Sequence, residues 1–182
     1  PLLVKVSLSS TGIEKALLEV EKSNTVSFEN AYRYSEQLWE KELQKIKIQT
    51  TDKALATRFY TSVYHTCLAP LISSDADGGY QTPDNRQRRF TKGKNKYTIF
   101  SQWDVFRALN PLFTLTQRER LPDMINSLLQ FYEDNGLLPV WDISGWEANT
   151  MTGYHSIPII ADAILKGIGG FDYTKAYEAM RK

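Results

Sequence analysis

A mainly α-helical fold is what this sequence predicts, and three observations predict it. Apolar residues recur at three- and four-residue intervals through most of the chain. Side chains suited to starting helices stand ahead of those stretches. Strand patterns do not alternate with the helical ones, and no residue pattern repeats at constant spacing, which argues against an α/β sheet and against a simple consensus solenoid. The 182 residues are 42% hydrophobic and 24% charged, the balance of a folded chain that buries a core.

Residues 2–8 alternate Val4, Val6 and Leu8 with Lys5 and Ser7, the period-two pattern of a short strand. A lone strand leaves its backbone groups unpaired, so this one is expected to belong to a region upstream. Thr11 and Glu14 have the capping-box spacing and start a first helix reaching about Glu21. The second helix is expected over 27–46, with Phe28, Tyr32, Ser35, Trp39, Leu43 and Ile46 along one stripe. The third starts near Asp52, carries Leu55, Phe59, Val63 and Cys67 on one side, and stops at Pro70. Over 73–96 the periodicity gives way to turn formers such as Asp75, Asp77, Gly78 and Gly79, then to the basic run Arg86, Arg88, Arg89, Lys92, Lys94 and Lys96. A loop or hairpin of that length is a natural place for a binding surface. Residues 97–100 read as extended. A helix over 103–110 is expected to end at Pro111, and the Thr116/Glu119 spacing announces another, with Leu121, Ile125, Leu128 and Tyr132 on one side and Gly136 at its stop. Residues 137–153 read as irregular. Helices over 157–166 and from Asp172 onward bring the count to about six or seven.

Composition excludes some function classes. With 22 Lys+Arg against 21 Asp+Glu, the net charge of +1 supplies no strong field for a polyanion or an anionic membrane. Cys67 is the single cysteine, which rules out an internal disulfide framework and a multi-cysteine metal cluster. On the apolar side of its helix it reads as a small hydrophobe. His65, on the same helix, reads as a structural histidine. No apolar stretch approaches the roughly 18 residues that span a bilayer. The basic run, with Phe90 and Tyr97, could offer cations to phosphates and rings to bases, but the balanced charge argues against a nucleic-acid partner.

The richest chemistry lies over 138–155, where Trp141, Trp146, Tyr154 and His155 surround the carboxylates Asp142 and Glu147. A carboxyl beside an indole loses hydration and can stay protonated as a general acid. Aromatic rings stack on the C–H faces of sugars, so carbohydrate is the expected substrate class. Two other readings stand beside this one: a loop sealed by its tryptophans with solvated acids, and a noncatalytic carbohydrate-binding or helical interaction domain.

Several motifs, in order, narrow the choice: Phe59-Tyr60-Thr61-Ser62-Val63-Tyr64-His65-Thr66, Ser74-Asp75-Ala76-Asp77-Gly78, Ser101-Gln102-Trp103-Asp104-Val105-Phe106-Arg107, Leu138-Pro139-Val140-Trp141, Glu147-Ala148-Asn149-Thr150-Met151-Thr152-Gly153-Tyr154-His155, and Ala161-Asp162-Ala163-Ile164-Leu165-Lys166-Gly167. Together they resemble the catalytic domain of glycoside hydrolase family 92, the calcium-dependent exo-α-mannosidases. The resemblance implies an (α/α)6 toroid preceded by a β-sandwich, with residues 1–10 as the end of the sandwich and linker and 11–182 as the N-terminal part of the catalytic domain. The chain is then expected to be an internal piece, inactive alone, exposing large apolar faces where neighbours are missing.

It further implies an inverting reaction on terminal mannose of mannosides or N-glycans, with Glu147 in the acid position. Trp103 and Asp104 would hold the terminal mannose, Arg107 would pair with and fix a nearby carboxylate, and His155 would touch substrate or position the acid loop. The general base and most ligands of the family's calcium ion would lie downstream of these residues, and no metal ligand is assigned among them. Asp75-x-Asp77-Gly78 looks like half of a calcium loop but lacks the later acidic ligands, so a turn is expected there. Periplasmic or secreted residence is also what the resemblance implies. It leaves the oligomeric state open.

Overall fold

The computed structural model describes residues 2–182; Pro1, counted in the 1–10 segment, lies outside the described residues. The chain forms two compact units, Pro1–Leu68 and Ala69–Lys182. Eight helices and seven short strands occur among the described residues, so the fold is mainly α.

In the first unit, residues 2–9 form neither helix nor strand, and the alternating pattern there finds no partner ladder. Lys5 instead donates to the carbonyls of Ser23 and Val26 at 2.5 and 3.3 Å. Helix α1 (Ile13–Lys22) starts at Gly12 rather than in a Thr11 capping box, with no side-chain cap bond. The Ser9 hydroxyl accepts from the N–H groups of Thr11 and Gly12, and the first of these is one that such a box would have used. Helix α2 (Phe28–Leu43) starts as expected, because Ser27 accepts from the Asn30 N–H, but ends three residues early. Helix α3 (Lys53–Thr66) is capped by Asp52, whose carboxylate accepts from Ala54 and Leu55, and ends ahead of Pro70. Trp39 of α2 meets Tyr64 of α3 with ring centroids 4.7 Å apart. None of the three helices buries a residue fully, and Phe28, Tyr32, Leu38 and Leu55 stay exposed.

The second unit is built around α6 (Leu121–Asn135). Its Leu121, Ile125, Leu128 and Leu129 are buried against Phe113 of α5 (Leu109–Thr116), Ile159, Ile160 and Ala163 of α7 (Ser156–Leu165), and Ala176 and Ala179 of α8 (Tyr173–Met180). The two alanines add no bulk, so α8 can lie close on this core. Asp172 caps α8 through the Lys175 N–H, and Gly136 ends α6 in the left-handed conformation at φ 86°, both as the sequence predicts. Two expectations fail here. Thr116 is the last residue of α5 and bonds back to the Leu112 carbonyl, while α6 starts at Arg120 with Pro122 in its first turn. Pro111 sits in the first turn of α5, where its missing N–H costs nothing, so it opens a helix instead of closing one.

The long loop is a nested pair of ladders. Strands β1 (Leu71–Ile72) and β4 (Tyr97–Thr98) pair on the outside, and β2 (Gly79–Gln81) and β3 (Gln87–Arg89) form the inner hairpin. The Tyr97 N–H donates to Ser127 Oγ at 2.8 Å and fastens β4 to α6. Four of the six cations of the basic run pair with carboxylates: Arg86 with Asp84, Arg88 with Asp134, Arg89 with Asp77 and Lys94 with Asp123. Lys96 is buried, its ammonium 4.9 Å from the Tyr80 ring centroid.

Candidate active site

Residues 137–153, irregular in the sequence reading, contain an antiparallel hairpin of β6 (Trp141–Ile143) and β7 (Trp146–Glu147). Ser144 and Gly145 both lie at positive φ, 54° and 89°, which is the two-residue turn whose twist matches that of paired strands. Asp142 closes the turn by accepting the Gly145 N–H at 2.7 Å. On the other side β6 pairs with β5 (Phe100–Ser101), Ser101 opposite Trp141, and Ser101 leads directly into α4 (Gln102–Val105). One small sheet therefore carries residues from positions more than forty apart in the chain.

Glu147 lies opposite Asp142, and its carboxylate is caged by backbone amides. Oε2 accepts from Val140 at 2.7 Å, Oε1 accepts from Asn149 at 3.1 Å, and the Trp141 N–H is shared between them at 3.2 and 3.3 Å. The Trp141 indole N–H donates to Ser101 Oγ at 2.6 Å, and that hydroxyl donates to Asp104. Asp104 and Glu147 are thus joined through Ser101 and Trp141. Trp103, beside Asp104 in α4, is about half exposed at 48%, and Trp146 is more so.

Arg107 and His155 meet on a different ring. The Arg107 guanidinium lies 5.2 Å from the Phe106 centroid, and the His155 imidazole lies 4.1 Å from it at an interplanar angle of 34°. The carboxylate partner expected for Arg107 is not seen among the described residues; its cation faces an aromatic ring instead. His155 Nδ1 is buried without a hydrogen-bond partner. The ring is seated over Gly153, where an added Cβ would stand 2.2 Å from His155 Cε1 and where φ is +83°. Gly153→Ala should therefore cost about 1–2 kcal/mol for the left-handed backbone alone, with more for moving the imidazole. Denaturant unfolding measures it, and an unchanged midpoint would show that the ring swings away freely.

The carboxyl that burial perturbs in this loop is Asp142. Loss of hydration pushes its pKa up from the ordinary 3.8, against the opposing pull of Lys96, the Gly145 N–H and the Thr98 hydroxyl. Lys96 is pushed down by burial, against the pull of Asp142 and Asp134. A raised carboxyl binds a proton in the folded chain that the unfolded chain has already released, so its contribution to stability falls as pH rises through that window. Relative to Asp142→Asn, the wild type should gain stability as pH is lowered from 7 toward 4. Parallel pH profiles of the two proteins would sink this if their difference were flat.

Sequence reasoning singled out Glu147, Trp103, Asp104, Arg107 and His155; it missed the intermediaries. Ser101 was findable, since a serine three residues ahead of Asp104 at a helix start can reach it. Tyr154, whose hydroxyl accepts the Leu138 N–H at 2.7 Å, carries no such local signal. No group of three or more His, Cys, Asp or Glu residues that could hold a metal ion occurs among the described residues. Asp77 of the half calcium loop accepts the Gly79 N–H and pairs with Arg89 at 3.0 Å, a turn's use of the side chain. No helix among the described residues is long and apolar enough to cross a membrane.

Residues 15–182 match the glycosyl hydrolase family 92 catalytic domain. Among solved structures, the chain is similar to the family GH92 α-mannosidase BT3965 from Bacteroides thetaiotaomicron, with 39% identity and a TM-score of 0.89 over 95% of this chain and 23% of that one. The same values hold for that enzyme in complex with mannoimidazole. The family GH92 inverting mannosidase BT2199 from Bacteroides thetaiotaomicron VPI-5482 is similar at 29% identity and a TM-score of 0.83, over 95% of this chain and 24% of that one. No curated protein matches the chain. The chain spans about a quarter of the length of these solved relatives. The Trp103-Asp104 and Glu147 motifs both fall inside the matched stretch, and on the family match over 15–182 this chain belongs to glycosyl hydrolase family 92.

Proposed function

We propose that this chain supplies the acid side of an inverting, exo-acting α-mannosidase that removes terminal mannose from mannosides or N-glycans. The observation that supports it most is the hydrogen-bonded link from Glu147 on the sheet, through Trp141 and Ser101, to Asp104 in the first turn of α4. Asp104 would accept sugar hydroxyls, half-exposed Trp103 would offer its face to the ring, and His155 would touch substrate or position the acid loop. Arg107 would shape the same wall through Phe106. Glu147 would protonate the departing glycosidic oxygen. Oε2 is the more tightly held of its oxygens, at 2.7 Å from the Val140 N–H, and Oε1 the less, with contacts of 3.1 Å and longer.

Inversion needs a second carboxylate roughly 6.5–9.5 Å from the acid, across the sugar, to activate water. The resemblance assigns that base to a motif beyond residue 182, so these residues alone are expected not to turn over. The paired helices would form part of an (α/α)6 toroid, and residence would be periplasmic or secreted. Calcium enters only through the resemblance: bound beneath the sugar it would polarise hydroxyl groups, with most of its ligands beyond residue 182, and among the described residues no group of three or more His, Cys, Asp or Glu could hold it.

The test is the anomeric course of hydrolysis. A full-length protein carrying these residues, given an α-mannoside and followed by proton NMR, should release β-mannose first. Release of the α-anomer, or no hydrolysis, would overturn the reading.

A further inference from the structure

Beneath the acid loop lies a polar contact that the mechanism has not used. Gln102 and Ser156 are both completely buried. Each is the first residue of a helix, Gln102 of α4 beside Trp103 and Asp104, and Ser156 of α7 beside His155. Ser156 Oγ stands 2.6 Å from the Gln102 side-chain amide and 2.5 Å from the Pro139 carbonyl. Pro139 directly precedes Val140, whose N–H makes the shortest bond to Glu147. Three separate segments of the site therefore converge on one hydroxyl.

A serine hydroxyl has a single proton. If it goes to Pro139, the Gln102 amide must turn its NH2 toward Ser156, which also gives a partner to the nitrogen otherwise left unbonded. The chain of donation then runs from Gln102 to Ser156 to the Pro139 carbonyl, in a setting where water cannot replace a lost bond. Proline's ring restricts its own backbone, so a carbonyl held at Pro139 fixes the peptide that presents the Val140 N–H.

We propose that Gln102 and Ser156 are positioning residues for Glu147, setting through Pro139 the amides that hold the acid and tying them to the sugar-binding end of α4. This rests on the reading of Glu147 as general acid. Removing the link does not touch the reacting atoms; it lets the acid drift, and a displacement of about 1 Å can cost up to about 10²-fold in rate.

The experiment uses the full-length protein with Ser156→Ala, Gln102→Met and the double variant, each on a mannoside with a poor leaving group and on an activated aryl mannoside. Each single variant should lose about tenfold in kcat on the poor leaving group, less than twofold on the aryl substrate, and leave KM nearly unchanged. The double variant should lose no more than either single one, since both break the same chain. Equal losses on both substrates, additive losses, or full activity would overturn the proposal. Gln102→Met nearly conserves volume, so it serves if Ser156→Ala does not fold. Glu147→Gln in parallel separates the two claims: if that variant shows no leaving-group contrast, the acid assignment has failed, whereas a contrast at Glu147 without one at Ser156 and Gln102 rejects the positioning role alone.

Discussion

Glu147→Gln, in a full-length protein carrying these residues, should lower the rate on natural mannosides by about 10²–10⁴-fold, the usual worth of general acid assistance. Glutamine keeps the size of the side chain and one accepting oxygen for the amides of Val140 and Trp141, yet it has no proton to give. An activated aryl leaving group departs with little protonation, so on that substrate the loss should be far smaller. The contrast marks an acid, because removing a base would slow both substrates alike. Asp142 is the competing carboxyl of the loop. It is buried under the turn with Thr98 and Gly145 as partners, so Asp142→Asn is expected to act on stability and not to show the contrast. Kinetics of the two variants on both substrates decide the matter, and an unaltered rate for Glu147→Gln on a natural mannoside would remove it from the mechanism.

The largest effect on stability is expected at Lys96. Burial opposes the charged form of both Lys96 and Asp142, and each lowers the other's cost. Lys96→Met removes the cation that favours the charged form of buried Asp142 and should destabilise the fold. Asp134 retains the Tyr80 hydroxyl at 3.0 Å and Arg88 at 3.4 Å, so most of the penalty should fall on Asp142. Adding Asp142→Asn should then recover a good part of it, since the amide oxygen can still accept from Gly145, the NH2 can donate to the Thr98 hydroxyl oxygen, and the group carries no charge. Denaturant midpoints of the two single variants and the double variant check this; strict additivity would show that the two groups do not share a burial cost.

How much of this was legible beforehand differs from element to element. Ser27, Asp52 and Asp172 announce their helices because a short oxygen-bearing side chain ahead of an apolar period has little else to do there. Thr11 and Thr116 show the same letters at the same spacing, yet the helices start at Gly12 and Arg120: Ser9 and the carbonyl of Leu112 compete for the bonds involved, and a spacing rule cannot see competitors. The Ser144-Gly145 turn left a trace in the sequence that the apolar crowding of the loop obscured. For the site, side-chain chemistry and family motifs pointed to Glu147 and Asp104, but the groups that hold Glu147 are backbone amides, which every residue except proline possesses and no sequence advertises. The convergence of Gln102, Ser156 and Pro139 depends on three helix and strand ends meeting in space, and no local pattern encodes that.

The amide cage gives the proposed cycle a mechanical rhythm. Hydrogen bonds to an ionised carboxylate are roughly twice as strong as those to a neutral one. If Glu147 hands its proton to the leaving sugar, the amides of Val140, Trp141 and Asn149 would hold the resulting carboxylate more strongly than the acid, and the loop would stiffen as the product departs. Taking a proton back from solvent would slacken it again. Reprotonation of a single side chain would then do two jobs, rearming the acid and loosening the wall for the next glycan end.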